Sequence, residues 1–246
     1  MSGTAIDRER VRQSAQRTRE QWDSFGKEDA EFYIVGHGEH ESRTQFLETG
    51  KAIVDPVLAY LAPERTGGRL LEIGCGLGRT VHAFAPHFEH VDGADIAQSM
   101  VEQARSLNPP ENVDFTVISG ADLALFADDS FDVVFSFVVF QHVIDPTVIS
   151  SMIQEIGRVT RSGATAILQF DTRPFPPHHR AIFALPDAVL PRLQRRGIRR
   201  NRRSPEWVRA QLAGAGFGIE SERARWLEPL PSSGRSAFHH FIGRRI

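Results

Sequence analysis

At 246 residues, 41% of them hydrophobic and 24% charged, the chain is long enough to bury one large α/β core. A formal net charge of −2 gives no basic field for nucleic acid, and no nucleic-acid partner is expected. A single cysteine, Cys75, excludes an intrachain disulfide and suits a reducing compartment. The N-terminus carries no apolar leader and no apolar run approaches a membrane span, the best lying around FDVVFSFVVF, so a cytoplasmic location is expected.

Residues 1–62 read as a helical cap. DRERVRQSAQRTREQW is a polar helix, GHGEH a break, and Phe46, Leu47, Ile53, Val54, Val57, Leu58 and Leu61 recur at helical spacing. Pro56 is expected to kink or restart that second helix. From residue 63 short apolar runs alternate with helices: strands at RLLEI, HVDGAD, VDFTVI, FDVVFSFVV and ATAILQF. Asp145 caps the helix before the fifth strand, Pro146 opens it, and Gly163 stands where it should stop. Near-continuous apolar strands separated by helices mean a parallel sheet covered on both faces. The tail holds one more helix, capped by Ser204 and opened by Pro205. Two strands then follow without a helix between them, which must pair antiparallel.

LLEIGCGLGRT (70–80) places Gly74, Gly76 and Gly78 after the first strand. A phosphate-binding loop needs Gly-Lys-Ser/Thr, whereas Arg79-Thr80 stands here. The dinucleotide pattern G-x-G-x-x-G is missed by one residue. Glu72 just before the glycines would repel a pyrophosphate, and Asp95, at the end of the second strand, is placed to accept both ribose hydroxyls. The ligand expected is a nucleoside without phosphate and with positive charge.

With these motifs in order, the chain resembles the class I S-adenosylmethionine-dependent methyltransferases of small-molecule and saccharide type. LLEIGCGLGR is similar to the family's first motif and VDGADIAQSMVEQAR to its second. ISGADLALFADDSFDVVFSFVVFQHV, EIGRVTRSGATAILQF and SPEWVRAQLAGAGFGI follow in the family's order. The resemblance implies a Rossmann-like, doubly wound seven-stranded sheet of order 3-2-1-4-5-7-6, with the last strand antiparallel. It implies that Glu72, Gly74, Cys75, Gly76 and Gly78 cradle the methionine moiety. Asp95 would bind the ribose, Ile96 would pack on the adenine with Met100 nearby, and Asp122 would accept from the adenine amino group. Ala121 and Leu123 flank Asp122 in that turn, and Phe137 ends the fourth strand beside the cofactor. Arg43 is a candidate partner for the cofactor carboxylate.

The stretch after the fourth strand, Val139-Phe140-Gln141-His142, lacks the Asn/Asp-Pro-Pro-aromatic tetrapeptide of amide and nucleobase methylation. His142 stands there as candidate general base for a hydroxyl, and Gln141 as a substrate contact. Trp22 and Tyr33, with Phe25 and Phe32, could form an apolar lid over the acceptor. His178 and His179 lie in a segment after the fifth strand (171–203) that is the family's usual place for substrate-side insertions. That segment holds nine arginines, suited to an anionic acceptor or to a solvated face. His37, Glu39, His40 and Glu41 resemble a loose metal cluster without a strict ligand spacing. A divalent ion such as Mg2+ could activate a sugar hydroxyl. The expectation is an O-methyltransferase acting on a hydroxyl of a saccharide or natural product, with a homodimer compatible with the sequence. An N- or C-methyltransferase of a small metabolite, or a cofactor-binding module without transfer activity, are the alternatives.

Overall fold

A computed structural model of the chain describes residues 3–35, 43–61, 65–173, 185, 189, 201–224, 226 and 238–246. The elements in chain order are α1 (Gly3–Val35), α2 (Arg43–Glu48), α3 (Lys51–Leu61), β1 (Arg69–Ile73), α4 (Arg79–Phe84), β2 (His90–Asp95) and α5 (Gln98–Ser106). They continue with β3 (Val113–Val117), β4 (Phe131–Ser136), α6 (Pro146–Val159), β5 (Thr160–Asp171), α7 (Pro205–Gly214), β6 (Phe217–Ala224) and β7 (Phe238–Arg245). A single 3-10 turn, Phe140–His142, follows β4.

The seven strands form one sheet in the order β3-β2-β1-β4-β5-β7-β6, as expected. β1 to β5 run parallel, and β7 lies antiparallel to both β5 and β6. Each face is covered because the strands carry apolar residues on both sides. Leu70, Val133, Phe135 and Ile167 meet α3 and α4 through Ile53, Val57, Leu61 and Phe84. Leu71, Val134 and Leu168 meet α6 and α7 through Ile149, Ile153, Ile156, Val208 and Leu212 on the other face. Strand order reverses between β1 and β4, so the crevice at their carboxyl ends is where such a sheet takes a ligand.

Helix ends follow the sequence where a cap is available. The Asp145 carboxylate accepts from Thr147 N at 2.9 Å, and Ser204 Oγ from Trp207 N at 3.2 Å. Two expectations are corrected. Pro56 does not restart the helix: α3 runs through it from Lys51 to Leu61, because the loss is one bond to the Ala52 carbonyl while Ile53, Val54, Val57 and Leu61 are all buried. Gly163 does not end α6. The helix stops at Val159, and β5 begins with a bulge in which Phe131 pairs with Thr160 but Val133 with Thr165. Gly163, at φ +78°, allows that bulge. The expected break at GHGEH lies outside the described residues, and α1 carries an interruption of its own at Asp29, whose carboxylate accepts from Phe32 N at 3.1 Å and caps the second segment.

The cap helix α1 is fastened to the start of α5. Asp23 Oδ1 accepts from Ser99 N at 2.7 Å, Ser99 Oγ donates to Asp23 O at 2.8 Å, and Gln103 Nε2 donates to Gly26 O at 2.8 Å. Asp23 thus caps α5 from another helix, since Ala97 at its N-cap has no side-chain acceptor. A Cβ on Gly26 would lie 2.4 Å from Ser99 Oγ, so only glycine permits this approach.

Asp132 opens β4 at the end of the sheet opposite the crevice. Its Oδ2 accepts from Arg69 N at 2.8 Å and pairs with Arg161. Replacing it leaves a strand-end N–H unpaired. Asp132→Ala is expected to lose about 1–3 kcal/mol in urea unfolding, with ligand affinity at the far end of the sheet unchanged.

Candidate functional site

The crevice at the ends of β1 and β4 is a cavity roofed by α1. Of the residues singled out in the sequence, Glu72, Gly74, Cys75, Gly76, Asp95, Ile96, Met100, Phe137, His142, Trp22 and Tyr33 all line it. The structure brings strand ends, glycine loop and cap together around one space.

The loop keeps its shape through glycine. Gly74, Gly76 and Gly78 have φ of +76°, +53° and +80°. A Cβ on Gly74 would lie 2.1 Å from Val139 Cγ2, and one on Gly76 2.8 Å from Ile34 Cδ1 of the cap. Gly78 faces the Phe115 ring instead of the cavity, so its part is the turn itself. Asp95, buried at the end of β2, accepts from Gly76 N and Ala97 N, both at 2.9 Å. Burial raises its carboxyl above the ordinary range, and these backbone N–H groups pull it back down.

Glu72 is buried at the end of β1. Its Oε1 accepts from Thr80 Oγ1 at 2.5 Å, while Oε2 is buried without a hydrogen-bond partner. Burial pushes its carboxyl up to about 7, with the Thr80 hydroxyl opposing. Arg79, at the first position of α4, also lines the cavity. Its guanidinium is buried and donates to Thr49 Oγ1 at 3.1 Å, and burial lowers its pKa. A buried carboxylate with an open oxygen and a buried guanidinium held by one neutral hydroxyl form a pair of subsites of opposite charge. The Cys75 thiol is pushed well above its usual value by burial and by Asp95, which disfavours the nucleophilic thiolate.

Several expected residues stand elsewhere. Ala121 and Asp122 face a second, polar groove between the start of α1 and α6. Leu123 is in the core and donates its N–H to Glu155 at 3.0 Å. Gly120 and Ile118 line the cavity where Asp122 was expected to reach. Gln141 is buried just behind His142. Arg43 begins α2, but its side chain, like His178, His179, His37, Glu39, His40 and Glu41, lies outside the described residues. Among the described residues no group of three or more His, Cys, Asp or Glu could hold a metal ion, and no helix is long and apolar enough to cross a membrane. Arg79 was not among the residues expected at the site, although its place directly after the glycine loop is a usable signal.

Comparison with known proteins settles the family. A family model described as a methyltransferase domain matches residues 71–168. The chain is 30% identical over 176 residues to the ubiquinone biosynthesis O-methyltransferase of Xanthomonas euvesicatoria pv. vesicatoria (strain 85-10), covering 70% of this chain and 72% of that protein. This protein is a class I S-adenosylmethionine-dependent methyltransferase. The demethylmenaquinone methyltransferase of Clavibacter sepedonicus is 32% identical over 129 residues, 52% of this chain and 51% of that one. Among solved structures, magnesium protoporphyrin IX methyltransferase from Synechocystis PCC 6803 with bound S-adenosylhomocysteine shares the fold. Its TM-score is 0.67 at 21% identity, covering 95% of this chain and all, 100%, of that one. A methyltransferase from Methanosarcina mazei gives 0.62 at 20% identity, over 78% and 97% of the two chains.

S-adenosylmethionine is the methyl donor of this methyltransferase, and the open Glu72 oxygen suits its cationic groups. A cation beside Glu72 favours the ionised carboxylate, which without it is half protonated near neutrality because its pKa is raised to about 7. Cofactor binding near pH 6.5 should therefore release a proton, and affinity should climb as pH rises through about 7 and level off above. Calorimetry in buffers of different ionisation enthalpy measures this release, and Glu72→Gln should abolish it.

Proposed function

We propose that this methyltransferase methylates a hydroxyl of a small natural-product acceptor with a flat, largely apolar face, His142 acting as general base. The observation that carries the reading is the position of His142 in the cavity shared with Glu72 and Asp95, against the edge of the cap residue Trp22. The two rings lie 5.4 Å apart at 74°. Trp22 in turn packs edge-on against Phe25 at 5.6 Å, and Phe25 stacks on Tyr33 at 4.1 Å. An aromatic cap of this kind offers large apolar area to a ring system and few groups to a polyhydroxylated one. That favours the natural-product acceptor over the saccharide, and the ubiquinone-biosynthesis relatives support the same choice.

In this reading Glu72 holds the cofactor's ammonium and Arg79 its carboxylate. Asp95 takes the ribose through the second lone pair of each oxygen, and Ile96, Met100, Ile118 and Gly120 enclose the adenine. The cofactor supplies an electrophilic methyl on a sulfonium, so the chain's own task is alignment and proton removal. His142 accepts the acceptor's hydroxyl proton as the oxygen–methyl bond forms. Residues 1–62 serve as the cap and 63–246 as the catalytic domain, with 171–203 on the acceptor side. Asn201 N, at the end of that insertion, donates to Gln141 O at 2.5 Å, directly beside His142.

His142→Ala should cut turnover about 10²–10⁴-fold with cofactor affinity unchanged; undiminished turnover with an identified acceptor would remove the base assignment. Arg79→Ala should weaken S-adenosylmethionine binding by the roughly 1.5–3 kcal/mol of a charge-assisted hydrogen bond, read by calorimetry.

A further inference from the structure

Between β4 and the 3-10 turn the backbone passes through Val138 at φ +62°. A β-branched residue in the left-handed region costs about 1–3 kcal/mol and persists only where its surroundings hold it. The holder is Gln169, fully buried on β5, whose Oε1 accepts from Val138 N at 2.9 Å. A backbone N–H can only donate, so this bond decides which end of the Gln169 amide is oxygen. Its Nε2 is then the donor to Gln141 Oε1, at 3.3 Å. That bond orients the second amide in turn, and Gln141 Nε2 faces His142 Nε2 at 3.2 Å. An amide nitrogen has only N–H to offer, so this contact is a hydrogen bond when the imidazole Nε2 accepts and the neutral ring carries its proton on the buried Nδ1.

We infer that Gln169 and Gln141 are positioning residues that relay the polarity of the Val138 N–H to His142 and hold it as the Nδ1–H tautomer, with its lone pair on Nε2. Each link has one possible direction, and the first is set by the backbone. Both glutamines are buried, and the Gln141 carbonyl is further pinned by Asn201 N. The relay also gives the Val138 conformation a reason: it aims the N–H at Gln169.

The consequence for catalysis rests on the base assignment made above. When the acceptor hydroxyl takes the place of the Gln141 N–H on Nε2, its proton moves to Nε2. The oxygen's electron pair forms the bond to the methyl carbon, and the pair of the breaking carbon–sulfur bond stays on sulfur. Once protonated, Nε2–H opposes the Gln141 N–H, so the relay disfavours the imidazolium, which returns to its neutral form by releasing that proton to solvent.

Nitrogen-15 NMR of histidine-labelled full-length enzyme with bound S-adenosylhomocysteine reads the tautomer directly, His142 being assigned by the signals lost in His142→Gln. The relay predicts protonated Nδ1 and bare Nε2; the Nε2–H tautomer would overturn it. In Gln169→Leu the single tautomer should give way to a mixture, with turnover lowered by up to about 10²-fold and KM for the cofactor unchanged. A folded Gln169→Leu that keeps the wild-type tautomer would also overturn the inference. Gln141→Leu tests the second link if Gln169→Leu does not fold, and the wild-type spectrum decides in either case. Retained turnover in His142→Ala alongside an Nδ1–H spectrum would remove the base role and leave the relay standing.

Discussion

The site depends on one buried carboxylate. Asp95 accepts from Gly76 N of the glycine loop and from Ala97 N at the start of α5, so two elements from separate parts of the chain become one rigid edge. The loop's positive φ angles bring the Gly76 N–H within reach, and the side-chain-free positions leave room for Val139 and Ile34 to close over the loop. The cap then rests on that same edge, because Asp23 of α1 supplies the acceptor missing at the start of α5. Without Asp95 in place, the loop, α5 and the roof of the cavity lose their common support.

Charge is distributed around this edge in an incomplete way. Glu72 leaves one buried oxygen open, and Arg79 is balanced by a neutral hydroxyl, Thr49, and by the field of Glu72. Burying such groups is unfavourable for the empty protein, as the raised carboxyl of Glu72 and the lowered guanidinium of Arg79 express. In the proposed placement, a zwitterionic arm bearing an ammonium and a carboxylate would complete both, at a point where the strand order reverses.

The fold was largely legible because its strands are short runs with sharp ends: RLLEI and HVDGAD coincide with β1 and β2 to the residue. Legibility failed where local signals competed with packing. Gly163 reads as a helix stop but serves a strand bulge, and Pro56 reads as a break but sits in a helix whose buried face outweighs one lost bond. At the site, Glu72, Asp95 and His142, singled out by motif order, line one cavity. Asp122 meets the outer groove, while Gly120, at φ +79°, and Ile118 line the cavity. The Trp22–His142 contact and the Gln169–Gln141 chain join residues from distant segments, and no periodicity or spacing announces them.

In the proposed arrangement the cavity under α1 is the cofactor site, with opposite charges at Glu72 and Arg79 and with His142 beside the methyl position. A crystal structure of the complex with S-adenosylhomocysteine tests it most directly. The amino group is expected on Glu72, the carboxylate on Arg79, the ribose on Asp95 and the thioether sulfur facing His142. An amino acid moiety bound away from Glu72 and Arg79, or a sulfur turned away from His142, would contradict it.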